Sequence, residues 1–276
     1  MTMTREDIIN ELNERGYAAE AKETVKNGVT LKGILIKDGT MSPIIYTDKL
    51  IKRAEEERMS VMDATNKVVE VFEESTRNCE FDVSNLFERK WVMNHLSIGI
   101  QKKSIQKLIK KDIDFLEGLE AYLYIKKKGI DNSNYEVKLN NDHLENLQIF
   151  EAEAWEKAYE NVCQETVIAS MTSVLAELMG SDFEEDDEES PMYVISNKER
   201  VKGACSILNK EALKSFAEVK GVKRLFILPS SIHEMLLIPD NGDFEIECLS
   251  KMVREVNDTQ VDEEEQLQSR AYVLDF

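Results

Sequence analysis

"RLFILPSSIHEMLLIPDNGD", residues 224–243, decides how the last third of the chain is read. Two apolar runs flank a short polar stretch. Arg224–Leu228 predicts one strand and Glu234–Ile238 a second, with Pro229 ending the pairing of the first. The plain reading is a hairpin whose loop joins two middle strands of a sheet. On its N-terminal side, Met192–Ile195 predicts a strand. Ser196-Asn197-Lys198-Glu199 fits a capping box, and a helix runs on through Val201, Ala204, Leu208, Leu213 and Phe216 to a stop at Gly221. On its C-terminal side, Phe244–Asn257 predicts a helix with Ile246, Leu249, Met252 and Val253 on one face, and Arg270–Leu274 a last strand. The order β-α-β-β-α-β predicts a split-βαβ arrangement, in which two right-handed crossovers lay four strands under two helices.

Further out, the first 180 residues mix the two periodicities. Thr4 caps a first helix. Tyr17–Lys26 and Val29–Lys37 pair across Asn27-Gly28, the favoured two-residue hairpin turn. Ile44–Tyr46 is a short strand, and Asp48 and Ser60 cap two helices, the second carrying Val61, Ala64, Val68, Val71 and Phe72. Phe87–Leu116 reads as helix in two pieces, with Lys102–Lys111 as a wet face opposite Ile105 and Leu108. Ala121–Lys127 and Tyr135–Leu139 are strands, Asp142 starts a short helix, and a long helix reaches Met179. The fold class is α+β, with antiparallel or mixed sheets and packed helices. The expected organisation is an N-terminal α+β domain (1–180), an acidic linker (181–191) and a C-terminal βαββαβ domain (192–276).

The chain has 276 residues and a net charge of -19, which opposes direct binding to nucleic acid or to an anionic membrane. The charge is uneven. Seven of the eight residues Asp182–Glu189 are acidic, and such density favours solvation over packing, whereas Gln101–Lys128 holds eight lysines against four acids. The charged N-terminus has no apolar core, no uncharged apolar run is long enough to span a bilayer, and Cys79, Cys163, Cys205 and Cys248 lie far apart, as reduced thiols of a cytoplasmic protein do.

Each candidate chemistry is incomplete. Ser230 or Ser231 as nucleophile with His233 as base would need contact, but an extended chain holds Ser231 and His233 about 6.5–7 Å apart. No third residue orients the pair, and no Gly-x-Ser-x-Gly surrounds either serine. His233-Glu234 lacks the second histidine of a zinc helix, because position 237 is leucine. His95 and His143 stand alone. Asp131 followed by Glu136-Val137-Lys138 matches the acid and acid-x-lysine of metal-dependent nucleases, with Lys126, Lys127 and Lys128 nearby for phosphate. Alternation on a solvated strand explains the same pattern. No phosphate-cradling glycine loop occurs, and no cofactor is expected.

Three segments carry a resemblance: "PIIYTDKL", "PMYVISNKERVKGACSIL" and "LFILPSSIHEMLLIPDNGD" with "LSKMVREVNDTQV". Together they resemble a bacterial family, domain of unknown function fifty-six eighty-eight. The last segment is also similar to YtpQ-like proteins. The resemblance implies a cytoplasmic α+β protein of gut Clostridia and their mobile elements, and brings no catalytic assignment. The expected function is a non-enzymatic interaction or regulatory protein with a protein partner. Its contacts would be Pro229, Ser230, Ser231 and His233, together with an acidic surface. The alternatives are a mobile-element protein countering a host system, its acids imitating nucleic acid, and the metal-dependent nuclease.

Overall fold

The computed structural model describes residues 3–38, 42–77, 83–128, 134–180 and 190–276. The expected acidic linker, Asp131 and Cys79 lie wholly or mostly outside them. Two compact units divide the chain, residues 1–81 with 128–133, and residues 82–127 with 134–276.

In the first unit, α1 (Arg5–Glu14), β1 (Ala19–Lys26), β2 (Val29–Ile36), β3 (Ile44–Tyr46), α2 (Asp48–Glu56) and α3 (Val61–Arg77) follow one another. Thr4 and Asp7 form a reciprocal capping box at α1, and Ser60 and Asp63 do so at α3. Asn27 and Gly28 both take positive φ, so the turn is tight and Lys26 faces Val29 in the β1–β2 ladder. Ile8 and Leu12 of α1, Ile34 and Ile36 of β2, and Ala64, Val68 and Phe72 of α3 form the core. Asp48 lies one residue inside α2, and its carboxylate accepts the Lys32 N–H instead of capping.

The second unit begins with a 3-10 turn (Val83–Phe87) and α4 (Arg89–His95). Then come β4 (Leu96–Lys102), β5 (Lys110–Asp112), β6 (Leu119–Lys128), β7 (Asn134–Lys138), α5 (Asn141–Asn146) and α6 (Glu151–Glu165). The expected two-piece helix over Phe87–Leu116 is therefore confined to α4. Leu96, Ile98 and Ile100 alternate into the core while Ser97, Gly99 and Gln101 face the other way, which is a strand period. Ile105 is fully exposed, so Lys102–Lys111 is no helix face, and Ile109 enters the core instead. β6 pairs antiparallel with β4 along one edge and with β5 and β7 along the other.

The long helix expected up to Met179 is broken. After α6, the three β-branched residues Thr166, Val167 and Ile168 open β8 (Thr166–Ser170), and α7 (Met171–Met179) follows. β9 (Tyr193–Asn197) takes in Ser196 and Asn197, so the expected capping box does not form. A 3-10 turn (Gly203–Leu208) precedes α8 (Lys210–Val219), which Asn209 caps. The series closes with β10 (Arg224–Pro229), β11 (Met235–Pro239), α9 (Ile246–Gln260) and β12 (Tyr272–Asp275).

The five strands lie in the order β12-β10-β11-β9-β8, every neighbouring pair antiparallel. β9 and β10 therefore run parallel with β11 between them, and β11 and β12 run parallel with β10 between them. These are two interlocked split-βαβ units. Both crossovers move the same way across the sheet but start from oppositely directed strands, so equal handedness puts their helices on opposite faces. The packing agrees. Leu225, Ile227, Met235 and Leu237 face Leu213 and Ala217 of α8, whereas Phe226, Leu228 and Ile238 face Leu249 and Val253 of α9. This corrects the expectation of both helices on one side. β8 precedes the acidic segment and β9 follows it, so one sheet draws strands from both sides of residues 181–191. The compact units part near residue 81, not at that segment.

Candidate functional site

The hairpin tip, residues 230–234, lies between Pro229 and Met235, the last register pair of β10 and β11. Pro229 is thus the buried end of its strand and still has a register partner. Within the tip, Ser231 N–H donates to the Glu234 carbonyl at 3.2 Å, and Ser231 Oγ accepts the His233 N–H at 3.0 Å. The Ser231 hydroxyl is spent on local backbone and does not meet the imidazole. Ser230 and Glu234 are half-buried beside it.

Two distant segments converge on the tip. From one side come β9 and the turn after it. Ser196 Oγ donates to the His233 carbonyl at 2.8 Å, and the Lys202 backbone N–H donates to His233 Nδ1 at 3.1 Å. From the other side, the Glu265 carbonyl accepts the Ile232 N–H at 2.9 Å, and Glu265 Oε1 lies 3.3 Å from His233 Nε2. Because Nδ1 acts as acceptor, the neutral ring carries its proton on Nε2 and donates it to Glu265. Both ring nitrogens are engaged, and the one available lone pair, on Nδ1, is taken by the Lys202 N–H.

The turn over residues 198–202 is conformationally unusual. Arg200 and Lys202 take φ of 52° and 51°, a left-handed conformation that costs a non-glycine residue on the order of 1 kcal/mol. The Asn197 side chain brackets Val201, donating to its carbonyl and accepting its N–H. The Lys202 ammonium pairs with Glu136 and lies over the Tyr124 ring, and Arg200 pairs with Glu177 of α7. Gly203 follows, packed directly against Ser196.

The nuclease candidates are drawn into this arrangement. The Glu136 carboxylate faces Lys202, Lys138 Nζ donates to Gln101 Oε1, and Lys126 pairs with Glu165. Among the described residues no group of three His, Cys, Asp or Glu could hold a metal ion. His95 stacks on Trp91 and bonds its carbonyl, and His143 Nδ1 accepts the Asn140 N–H as a capping residue.

A second buried polar cluster lies on the face of β4 and β6 turned away from their apolar contacts. Glu120 accepts from Gln101 Nε2, from the Ser104 N–H and hydroxyl, and from Lys110. Tyr122 and Tyr124 are buried beside it, and loss of solvation pushes both phenols above their ordinary range. Burial also pushes the Cys205 thiol up to about 12, whereas Cys248 is exposed. Sequence reasoning missed Lys202, Gly203 and Glu265, whose roles depend on contacts to residues about thirty positions away. A glycine inside an apparent helix was the one local cue.

No helix among the described residues is long and apolar enough to cross a membrane. Comparison with curated proteins and with solved structures finds no match. One family model, described as a family of unknown function and designated DUF5688, matches residues 2–275, and the chain therefore belongs to the DUF5688 family.

Proposed function

We propose that the protein is a non-enzymatic, cytoplasmic interaction or regulatory protein. It would meet a protein partner through the hairpin tip Pro229–Glu234 and the acids near it. The observation that carries this reading is the use of the reactive-looking side chains. Ser231, Ser196 and Nδ1 of His233 are bonded to backbone, and Nε2 of His233 faces the Glu265 carboxylate, which leaves a hydrogen-bonded polar loop rather than an assembled nucleophile and base. A preformed loop loses little conformational entropy on binding. The free thiols of Cys163, Cys205 and Cys248 fit a reducing compartment.

A photocrosslinking residue at position 230 tests this in cells. The expected result is one defined protein adduct that His233→Ala weakens by loosening the tip. Turnover of a substrate that is lost in Ser231→Ala, with no defined adduct, would overturn it.

A further inference from the structure

The imidazole of His233 joins two segments by bonds of opposite polarity. Nδ1 receives a proton from the Lys202 backbone, and Nε2 gives one to Glu265. We infer that His233 is a proton-operated latch: the neutral ring holds the 198–203 turn shut through the Lys202 N–H, and the protonated ring releases that turn while staying bonded to Glu265. This goes beyond the proposed partner contact and does not depend on it.

The two ends of the ring respond to protonation in opposite ways. A proton on Nδ1 turns the acceptor into a donor facing another donor across 3.1 Å, so the bond to Lys202 is lost. At Nε2 the same proton turns a neutral hydrogen bond into a charge-assisted one to a carboxylate, which tightens it. The ring therefore lets go on one side only.

What it releases is already strained. Lys202 and Arg200 sit at positive φ, and relaxing them favours the open turn. Glu265 faces Nε2, Glu234 neighbours it on the hairpin, and Lys202 reaches from its own turn but carries its ammonium away to Glu136 of β7. Arg200 turns to Glu177 of α7. These ion pairs are partly solvated and weak, and the Asn197 side chain fixes Val201 without reaching the Lys202 N–H, whose acceptor is the ring.

Nitrogen-15 NMR on the full chain tests the latch, with His95 and His143 as internal references. While the ring is neutral, His233 should show the Nε2–H tautomer, with the Lys202 amide protected from exchange. As His233 titrates, the Lys202 protection factor should fall roughly tenfold, about one hydrogen bond, while the Ala204 amide, bonded to Ile232, stays protected. His233→Asn places a non-titrating acceptor where Nδ1 sits and should keep Lys202 protected throughout. A Lys202 protection factor that stays constant while the wild-type ring titrates would overturn the latch, whether or not the variant folds. So would the wild-type pH dependence persisting in His233→Asn.

Discussion

A β-carbon on Gly203 would sit 2.1 Å from Ser196 Oγ, 2.5 Å from the Asn197 nitrogen and 2.8 Å from the His233 carbonyl oxygen. Two of those three atoms are backbone and cannot swing aside. Gly203→Ala is therefore expected to lower stability by roughly 2–4 kcal/mol in urea denaturation. Adding Ser196→Ala should recover only part of the loss, because the backbone clashes remain. A full recovery would mean that the hydroxyl alone makes the fit.

Gly99 and Tyr122 are register partners of β4 and β6, and a β-carbon on Gly99 would lie 2.3 Å from the Tyr122 ring. Gly99→Ala should cost about 1–3 kcal/mol in the wild type. With Tyr122→Ala already in place the ring is gone, and alanine suits a strand better than glycine does by roughly 0.5–1 kcal/mol. The same substitution should then become neutral or stabilising. A double-mutant cycle measures this change of sign.

Glu120 and Glu153 both pair with cations, in contrasting settings. The Glu120 side chain is 5% exposed and gathers donors from Gln101, Ser104 and Lys110. Glu120→Ala strands those donors and should cost about 3–5 kcal/mol, with Glu120→Gln milder. The Glu153 pair with Arg89 is 36% and 50% exposed, and Arg89→Ala should cost under about 1 kcal/mol. Thermal melts of the three variants decide it.

Cys205 gives the fold an alkaline limit. Burial raises its thiol from the ordinary 9.0 to about 12, so the folded state holds that proton more tightly than the unfolded state. Stability from this group is constant below about pH 9 and falls between pH 9 and 12, by about 1.4 kcal/mol per pH unit. Burial of Tyr122 and Tyr124 adds to the fall only above pH 10, and the half-buried Cys163 adds a smaller share from pH 9. Between pH 9 and 10, Cys205→Ala should therefore remove most of the slope, whatever it does to the absolute level. In the folded protein an alkylating reagent should label Cys248 first and Cys205 only on unfolding.

Elements set by local chemistry were legible in the sequence. Asn27-Gly28 fixed a turn, Thr4 and Ser60 announced helix starts, and the strand-helix order of the last third is present as read. Elements set by distant pairing were not. Thr166–Ser170 continues the apolar stripe of α6 and turns into a strand because β9 offers it an edge. Ser196 has a glutamate three residues on, the pattern of a helix cap, yet it sits in a strand and bonds the His233 carbonyl. The alternation of Leu96, Ile98 and Ile100 was visible, but neighbouring lysines imitated a helix face. At the candidate site the sequence offered His233 and Ser231. It could not offer Lys202 or Glu265, which reach the ring only once β9 and the 261–268 segment have folded beside the hairpin.

Thr166–Ser170 and Tyr193–Asn197 are held edge to edge by a full antiparallel ladder, and Met171 adds a bond to the Met192 carbonyl. A scissile site placed anywhere between residues 180 and 190 would therefore yield two fragments that stay stitched together along the outermost ladder of one sheet. The protein is divisible at that point, and separately expressed halves have a built-in seam along which to reassociate.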